Sequence, residues 1–207
     1  MNQKILEAIK ELRKVSSKRN FNQSFDLIVN LKEFDTKKSE NKINEEFVLP
    51  HGRGDVKVVV FSDTLKGLEC EVLTSKDVEN LAKNKRAARK FIKETDFFLA
   101  EASMMPLIGK YLGQFLAPRQ KMPKVISGNV ESMIKNLKKS VRIVVKSSPV
   151  IQCIVGKEDM KDEEICENIE SLLKHLEAIL PKGKRNVKNV LLKLTMSKPV
   201  EIKVEKW

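Results

Sequence analysis

Apolar positions recur along this chain with two periods. Over residues 2–16, Ile5, Ile9 and Leu12 share one face with Ala8 and Val15 beside them, the 3.6-residue period of a helix. Phe25, Leu27, Val29 and Leu31 alternate strictly, which predicts a strand over 25–31 with one face buried. Phe47–Leu49 is a short extended piece, stopped by Pro50, Gly52 and Gly54. Val56–Phe61 (VKVVVF) is almost continuously β-branched, the pattern of a strand covered on both sides.

Strands and helices then alternate. A short strand, Cys70–Leu73, leads to Ser75 as N-cap of a helix through Leu81. A basic helix at 83–94, the strand Phe97–Ala100, a helix at 107–116, a proline-containing basic loop at 117–124 and a helix at 129–139 follow. Such alternation implies a small parallel sheet. Past residue 140, strands at 141–146 and 150–155 meet at Ser147-Ser148-Pro149. A long helix, 161–180, turns Ile165, Ile169, Leu172, Leu173, Leu176 and Leu180 inward and stops at Pro181 and Gly183. Strands Val187–Thr195 and Val200–Val204 flank the turn Met196-Ser197-Lys198-Pro199. The expected fold class is α/β in two domains. Residues 1–54 and 140–207 form one α+β layer pair, and an independent α/β domain over 55–139 is inserted between them.

Composition sharpens this picture. The 207 residues hold 40 Lys+Arg against 28 Asp+Glu, a net charge of +12, divided as +6 on each expected domain. A surplus of that size points to polyanionic partners: RNA, DNA or anionic lipid. No apolar run approaches the roughly 18–20 residues that span a bilayer, and the first helix is interrupted by charge throughout, unlike a signal peptide. Neither secretion nor membrane insertion is expected. Cys70, Cys153 and Cys166 are odd in number and far apart, as reduced, buried thiols are. His51 and His175 share no ligand spacing with them, so no zinc site is expected.

Candidate chemistry is sparse. His51-Gly52-Arg53-Gly54 precedes a strand rather than opening a helix, so its glycines suit a hinge better than a dinucleotide loop. There is no P-loop and no nucleophile elbow. Lys83–Lys93 holds six basic residues and no acid, and Lys182–Lys193 holds five with none. One such run is ordinarily a solvated face; two, together with Arg119, Lys121 and Lys124, favour phosphate contact. With only nine Phe, one Tyr and one Trp, stacking platforms for single strands are not expected, and structured RNA suits the composition better.

Three segments are more particular. Leu49-Pro50-His51-Gly52 with Gly54 is similar to an LPHGxGK segment; Met105-Pro106-Leu107-Ile108-Gly109-Lys110-Tyr111-Leu112-Gly113 through Leu116-Ala117-Pro118-Arg119-Gln120-Lys121-Met122-Pro123 is similar to MPxxGxLGxxLGPRGxMP; Leu194-Thr195-Met196-Ser197-Lys198-Pro199 is similar to a TMGP turn. In order and spacing, over nearly the whole chain, the sequence resembles the L-one family of large-subunit ribosomal proteins, those of the mobile stalk, in its archaeal type. It departs from the family pattern at Asp55, Ala117, Gln120 and Ser197, and the segment from Phe61 to Cys70 is short for the first helix of a Rossmann unit.

The resemblance implies a discontinuous two-layer α+β RNA-binding domain and an inserted three-layer Rossmann-like domain. It implies a ribosomal constituent in the cytoplasm that holds large-subunit ribosomal RNA at the stalk, beside the exit-site tRNA. It also implies a repressor that binds its own messenger RNA, monomeric off the ribosome, with no enzyme activity, cofactor or metal. Its RNA-contacting residues carry over to Phe21, Ser24, Thr195, Met196 and Ser197, with Arg19, Gln23, Gly156, Lys157 and Asn189 as further candidates. By pattern alone Phe21 and Met196 are ordinary core. The competing reading is a nucleotide-binding enzyme built on the inserted domain.

Overall fold

The computed structural model describes residues 2–17, 19–36, 38, 41–65, 67–145 and 147–202. The chain begins with α1 (Asn2–Val15), β1 (Ser24–Leu31) and β2 (Asn44–Val48). It continues through β3 (Val58–Phe61), β4 (Glu71–Leu73), α2 (Ser75–Lys83), α3 (Lys85–Glu94), β5 (Phe97–Ala100), α4 (Met105–Leu116), β6 (Lys124–Val125) and α5 (Val130–Lys139). It ends with β7 (Ser140–Val144), β8 (Val150–Lys157), α6 (Asp162–Ile179), β9 (Val187–Leu194) and β10 (Val200–Ile202). The strand expected over 200–204 is described only to Ile202. Two compact units result: Met1–Gly54 with Lys139–Trp207, and Asp55–Lys138.

In the first unit, four strands pair antiparallel in the order β10-β9-β1-β8. The alternation in β1 sends Phe25, Leu27, Val29 and Leu31 into the core, where Ile5, Ile9 and Leu12 of α1 and Ile165, Ile169, Leu172 and Leu176 of α6 meet them. The alternate positions Ser24, Asp26, Ile28 and Asn30 are half-buried. Strands β7 and β8 are not partners across their Ser-Ser-Pro turn: β7 pairs with β2 in a separate two-stranded ribbon, and β8 pairs with β1.

The second unit is a parallel sheet in the order β4-β3-β5-β6. Its β-branched strand is covered on both sides, as the unbroken run in the sequence requires. Val59 and Phe61 pack with Ile92 of α3 and with Ile108 and Leu112 of α4, whereas Val58 and Val60 pack with Ile134 and Leu137 of α5. The fold is therefore α/β. Thr74, not Ser75, caps α2: its N–H and hydroxyl both donate to Asp77, at 3.0 and 2.7 Å. Ser75 instead donates to Asp63. Gln120, where the family pattern has glycine, takes the left-handed backbone with φ +56°.

The cysteines are free; Cys153 and Cys166 are buried and Cys70 is half-buried. Burial pushes the Cys153 thiol up to about 12, the nearby Asp26 carboxylate adding to it, so the thiol stays protonated and unreactive in the folded chain.

Candidate nucleic-acid interface

Register brings the leading site residues to one end of the terminal sheet. Phe25 lies opposite Leu194 and Ser24 opposite Lys157, so the start of β1, the end of β8 and the turn after β9 converge. Main-chain bonds close this end: the Thr195 N–H donates to the Ser24 carbonyl at 3.1 Å, and the Glu158 N–H to the Gln23 carbonyl at 2.8 Å. The Thr195 hydroxyl accepts the Ser24 N–H at 3.0 Å, which ties the turn to β1. Ser197 folds the turn on itself. Its hydroxyl accepts the Leu194 N–H at 2.9 Å and donates to the Lys198 carbonyl at 3.0 Å. Ser197 is not among the described residues with positive φ, so the turn closes here without glycine's backbone freedom.

Gln23 is buried beneath the turn and acts as its support. Its Oε1 accepts the Met196 N–H at 3.3 Å, while its Nε2 donates to Ser16 at 3.2 Å and Glu158 at 3.4 Å. On this supported turn Met196 is 60% exposed, and Phe21, ahead of β1, is 51% exposed, so the core reading of both from pattern alone is corrected. Val15, one residue before Ser16 on α1, is 66% exposed. Half of the exposed large hydrophobics among the described residues belong to these three short segments, and the fold has no use for them in water. Arg19, two residues ahead of Phe21, is exposed.

Of the other candidates, Gly156 and Lys157 lie at this same sheet end and Asn189 does not. Gly156 is buried: a β-bulge between Phe25 and Asp26 turns both Val155 and Gly156 inward. A Cβ on Gly156 would stand 3.1 Å from Ile165 Cγ1, so this glycine serves the packing of α6. Lys157 lays its stem over Gly54, whose φ is +98° and where a Cβ would come within 2.7 Å of Lys157 Cδ. Asn189 lies six residues up β9, about 20 Å from Thr195 at strand rise, and accepts from Asn30 Nδ2 at 2.7 Å.

Pattern reading missed the charged pair between these positions. Asp26 lies opposite Lys193 on the outward side of the sheet. Burial raises the Asp26 carboxyl, and the Lys193 ammonium offsets part of that shift. The outward half of the same alternation that exposed the core was the available signal. Among the described residues no cluster of His, Cys, Asp or Glu could hold a metal, and no helix is long and apolar enough to cross a membrane.

Among the described residues, the inserted sheet places its own side chains where a nucleotide would approach. The chain runs from β3 to β4 on one side, then crosses to β5 on the other, so the ends of β3 and β5 form the crevice where such folds hold ligands. That crevice is filled by its own groups. Ser62 donates to Glu101 at 2.7 Å and accepts the N–H groups of Thr64 and Leu65 at 3.1 and 2.8 Å; Thr64 also donates to Glu101. Hydrogen bonds from Thr64 and then Ser62 hold the Glu101 carboxyl below its usual range, and those from Ser75 do the same for Asp63. Carboxylates thus stand where phosphate would approach α2. The adjoining cavity of about 270 Å³ falls below the roughly 300–1,000 Å³ of ligand pockets.

Residues 12–198 match the sequence model of the ribosomal protein L1p/L10e family, and the chain belongs to that family. It is similar to the large ribosomal subunit protein uL1 of Pyrococcus abyssi, with 46% identity covering 97% of this chain and 96% of that protein. Its similarity to the uL1 of Pyrococcus horikoshii is 44% over 97% and 95%, and to that of Methanobrevibacter smithii 42% over 98% and 100%. The chain is an archaeal-type large-subunit ribosomal protein, a structural protein of the cytoplasmic ribosome. It is not an enzyme, which overturns the nucleotide-enzyme reading.

Proposed function

We propose that this protein binds large-subunit ribosomal RNA at the stalk, beside the exit-site tRNA, through the sheet end formed by Phe21, Ser24 and Thr195–Ser197. We further propose that the same surface binds a similarly shaped site in the protein's own messenger RNA and so represses its translation, the protein being monomeric off the ribosome. The observation that carries the reading is the pair Phe21 and Met196, 51% and 60% exposed, one just ahead of β1 and the other on a turn held by Gln23 and Ser197. An apolar floor edged by hydroxyl and main-chain groups suits an unstacked nucleotide, its base on the floor and its ribose 2′-hydroxyl at the edge.

The test is titration of the full chain with a stalk-type RNA fragment and with a scrambled duplex. A stacked base is worth about 1–3 kcal/mol. Phe21→Ala is therefore expected to weaken the stalk-type RNA roughly tenfold to a hundredfold, Met196→Ala to weaken it as well through lost apolar contact, and both to leave the scrambled duplex unchanged. Equal weakening of both RNAs, or no weakening of the first, refutes the site. Thr195→Val is a poorer probe because its hydroxyl also holds Ser24.

A further inference from the structure

The helix α3 carries an arrangement of charge that its own fold does not use. Lys85, Arg86, Arg89, Lys90 and Lys93 are all exposed. At about 100° per residue they fall within an arc of roughly 140°, over about 12 Å of helix. The face adjoining that arc holds Ala88 and Ile92, both fully buried. Three pairs among the five are like charges at i,i+4, which destabilise a helix. The first turn has no acidic residue and two lysine or arginine residues, adverse to the helix dipole. Relief is slight: Lys90 lies 4.0 Å from Glu94, and among the described residues no ion pair engages Lys85, Arg86, Arg89 or Lys93.

The helix that carries the array is nonetheless anchored, and so is its Arg89. The Arg89 guanidinium sits 5.7 Å from the Phe115 ring centroid, and Arg119 Nη1 lies 3.5 Å from the Phe115 carbonyl oxygen, which extends the basic face to the turn after α4. Lys121 Nζ donates to the Ile92 carbonyl at 3.0 Å and fixes the end of α3.

We infer that the outward face of α3, with Arg119, is a second contact surface of this protein, one that takes the phosphodiester backbone of double-helical RNA without reading its sequence. Anionic lipid is disfavoured because the helix's apolar face is sealed in the core, leaving nothing to enter a bilayer. An acidic protein is disfavoured because the face presents no aromatic or aliphatic anchor. Single strands are disfavoured because Phe91 lies half-buried beneath Lys57 and Phe115 beneath Arg89, so neither ring is open to a base. What remains is a row of cations on an anchored helix without base readout, the complement of a phosphate row. The inference concerns a different unit from the proposed stalk site and does not depend on it.

The test uses the full chain with Arg86, Arg89, Lys90 and Lys93 all changed to Gln, titrated with a scrambled duplex and the stalk-type RNA over a series of salt concentrations. The slope of log affinity against log salt is expected to shrink by up to about 3 to 4 units, near 0.9 for each phosphate no longer neutralised. Both RNAs are expected to weaken by the same factor, at least tenfold near 0.1 M salt, while Arg86→Lys with Arg89→Lys retains the slope. Thermal unfolding of each variant confirms that the fold is kept. An unchanged slope in the folded variant overturns the inference. So does an equal loss of binding to phosphatidylserine vesicles or to polyglutamate, since the surface would then be a contact for any polyanion.

Discussion

Asn168 ties three distant main-chain groups together, and nothing in the sequence announces it. It sits on the inward face of α6 between Ile165 and Ile169, fully buried. Its Nδ2 donates to the carbonyls of Gly52 and Val155 at 2.7 and 2.9 Å, and its Oδ1 accepts the His51 N–H at 3.1 Å. One side chain thus satisfies three main-chain groups, two of them in the glycine-rich segment that leaves β2. Asn168→Ala leaves those groups without a partner, at about 1–3 kcal/mol for each buried group left unpaired. The expected result is a denaturant midpoint lowered by a loss of about 3 kcal/mol at unchanged slope. A loss below about 0.5 kcal/mol would show that water replaces the amide. The residue was invisible to pattern reading because its partners are contributed by distant sequence. Phe21 and Met196 were legible only through the family resemblance, since apolar periodicity says which residues are apolar and not which are left uncovered.

At the scale of elements the periodic segments were legible and their edges were not. Strict alternation found β1, the β-branched run found β3, and the 3.6-residue stripe found α1 and α6, because each reflects burial along its own length. The start of α2 was misplaced by one residue because Thr74 and Ser75 are both competent caps, and Asp63, which takes Ser75, lies on another element. The pairing of β7 with β2 likewise depends on partners far apart in sequence. Helix α4 carries a cost of its own. Gly109 and Gly113 lie in its interior, and a Cβ built on either would meet nothing within 4 Å. Neither has a positive φ, so the fold draws no benefit from their freedom. Glycine in a helix interior costs roughly 0.5–1 kcal/mol relative to alanine. Gly109→Ala and Gly113→Ala are each expected to stabilise the chain by about that amount, read as a raised unfolding temperature. A lowered temperature would mean that the open face is tighter than it stands here.

For the whole molecule, the relevant geometry is where the chain leaves the terminal unit and where it returns. Val48 pairs with Ser140, and the Leu49 N–H donates to the Lys139 carbonyl at 3.0 Å, so the two crossings lie side by side in the ribbon of β2 and β7. A chain with Gly54 joined to Lys139 through a short glycine-serine linker is expected to unfold cooperatively and to keep its preference for stalk-type over scrambled RNA, because an inserted unit has its own core. A well-folded deletion variant with no such preference would remove the RNA site from the terminal unit. The same topology sets an order of events during synthesis. Strand β1 takes its hydrogen bonds from β8 and β9, and about 120 residues separate the end of β1 from the start of β8. At roughly 5–20 residues per second, a nascent chain carries β1 unpaired for about 6–24 seconds while the whole inserted unit is made. The unit that begins the polypeptide is therefore the last to close, and every newborn copy passes through a stage with one domain complete and an apolar strand still open, the moment at which a holding chaperone has most to offer it.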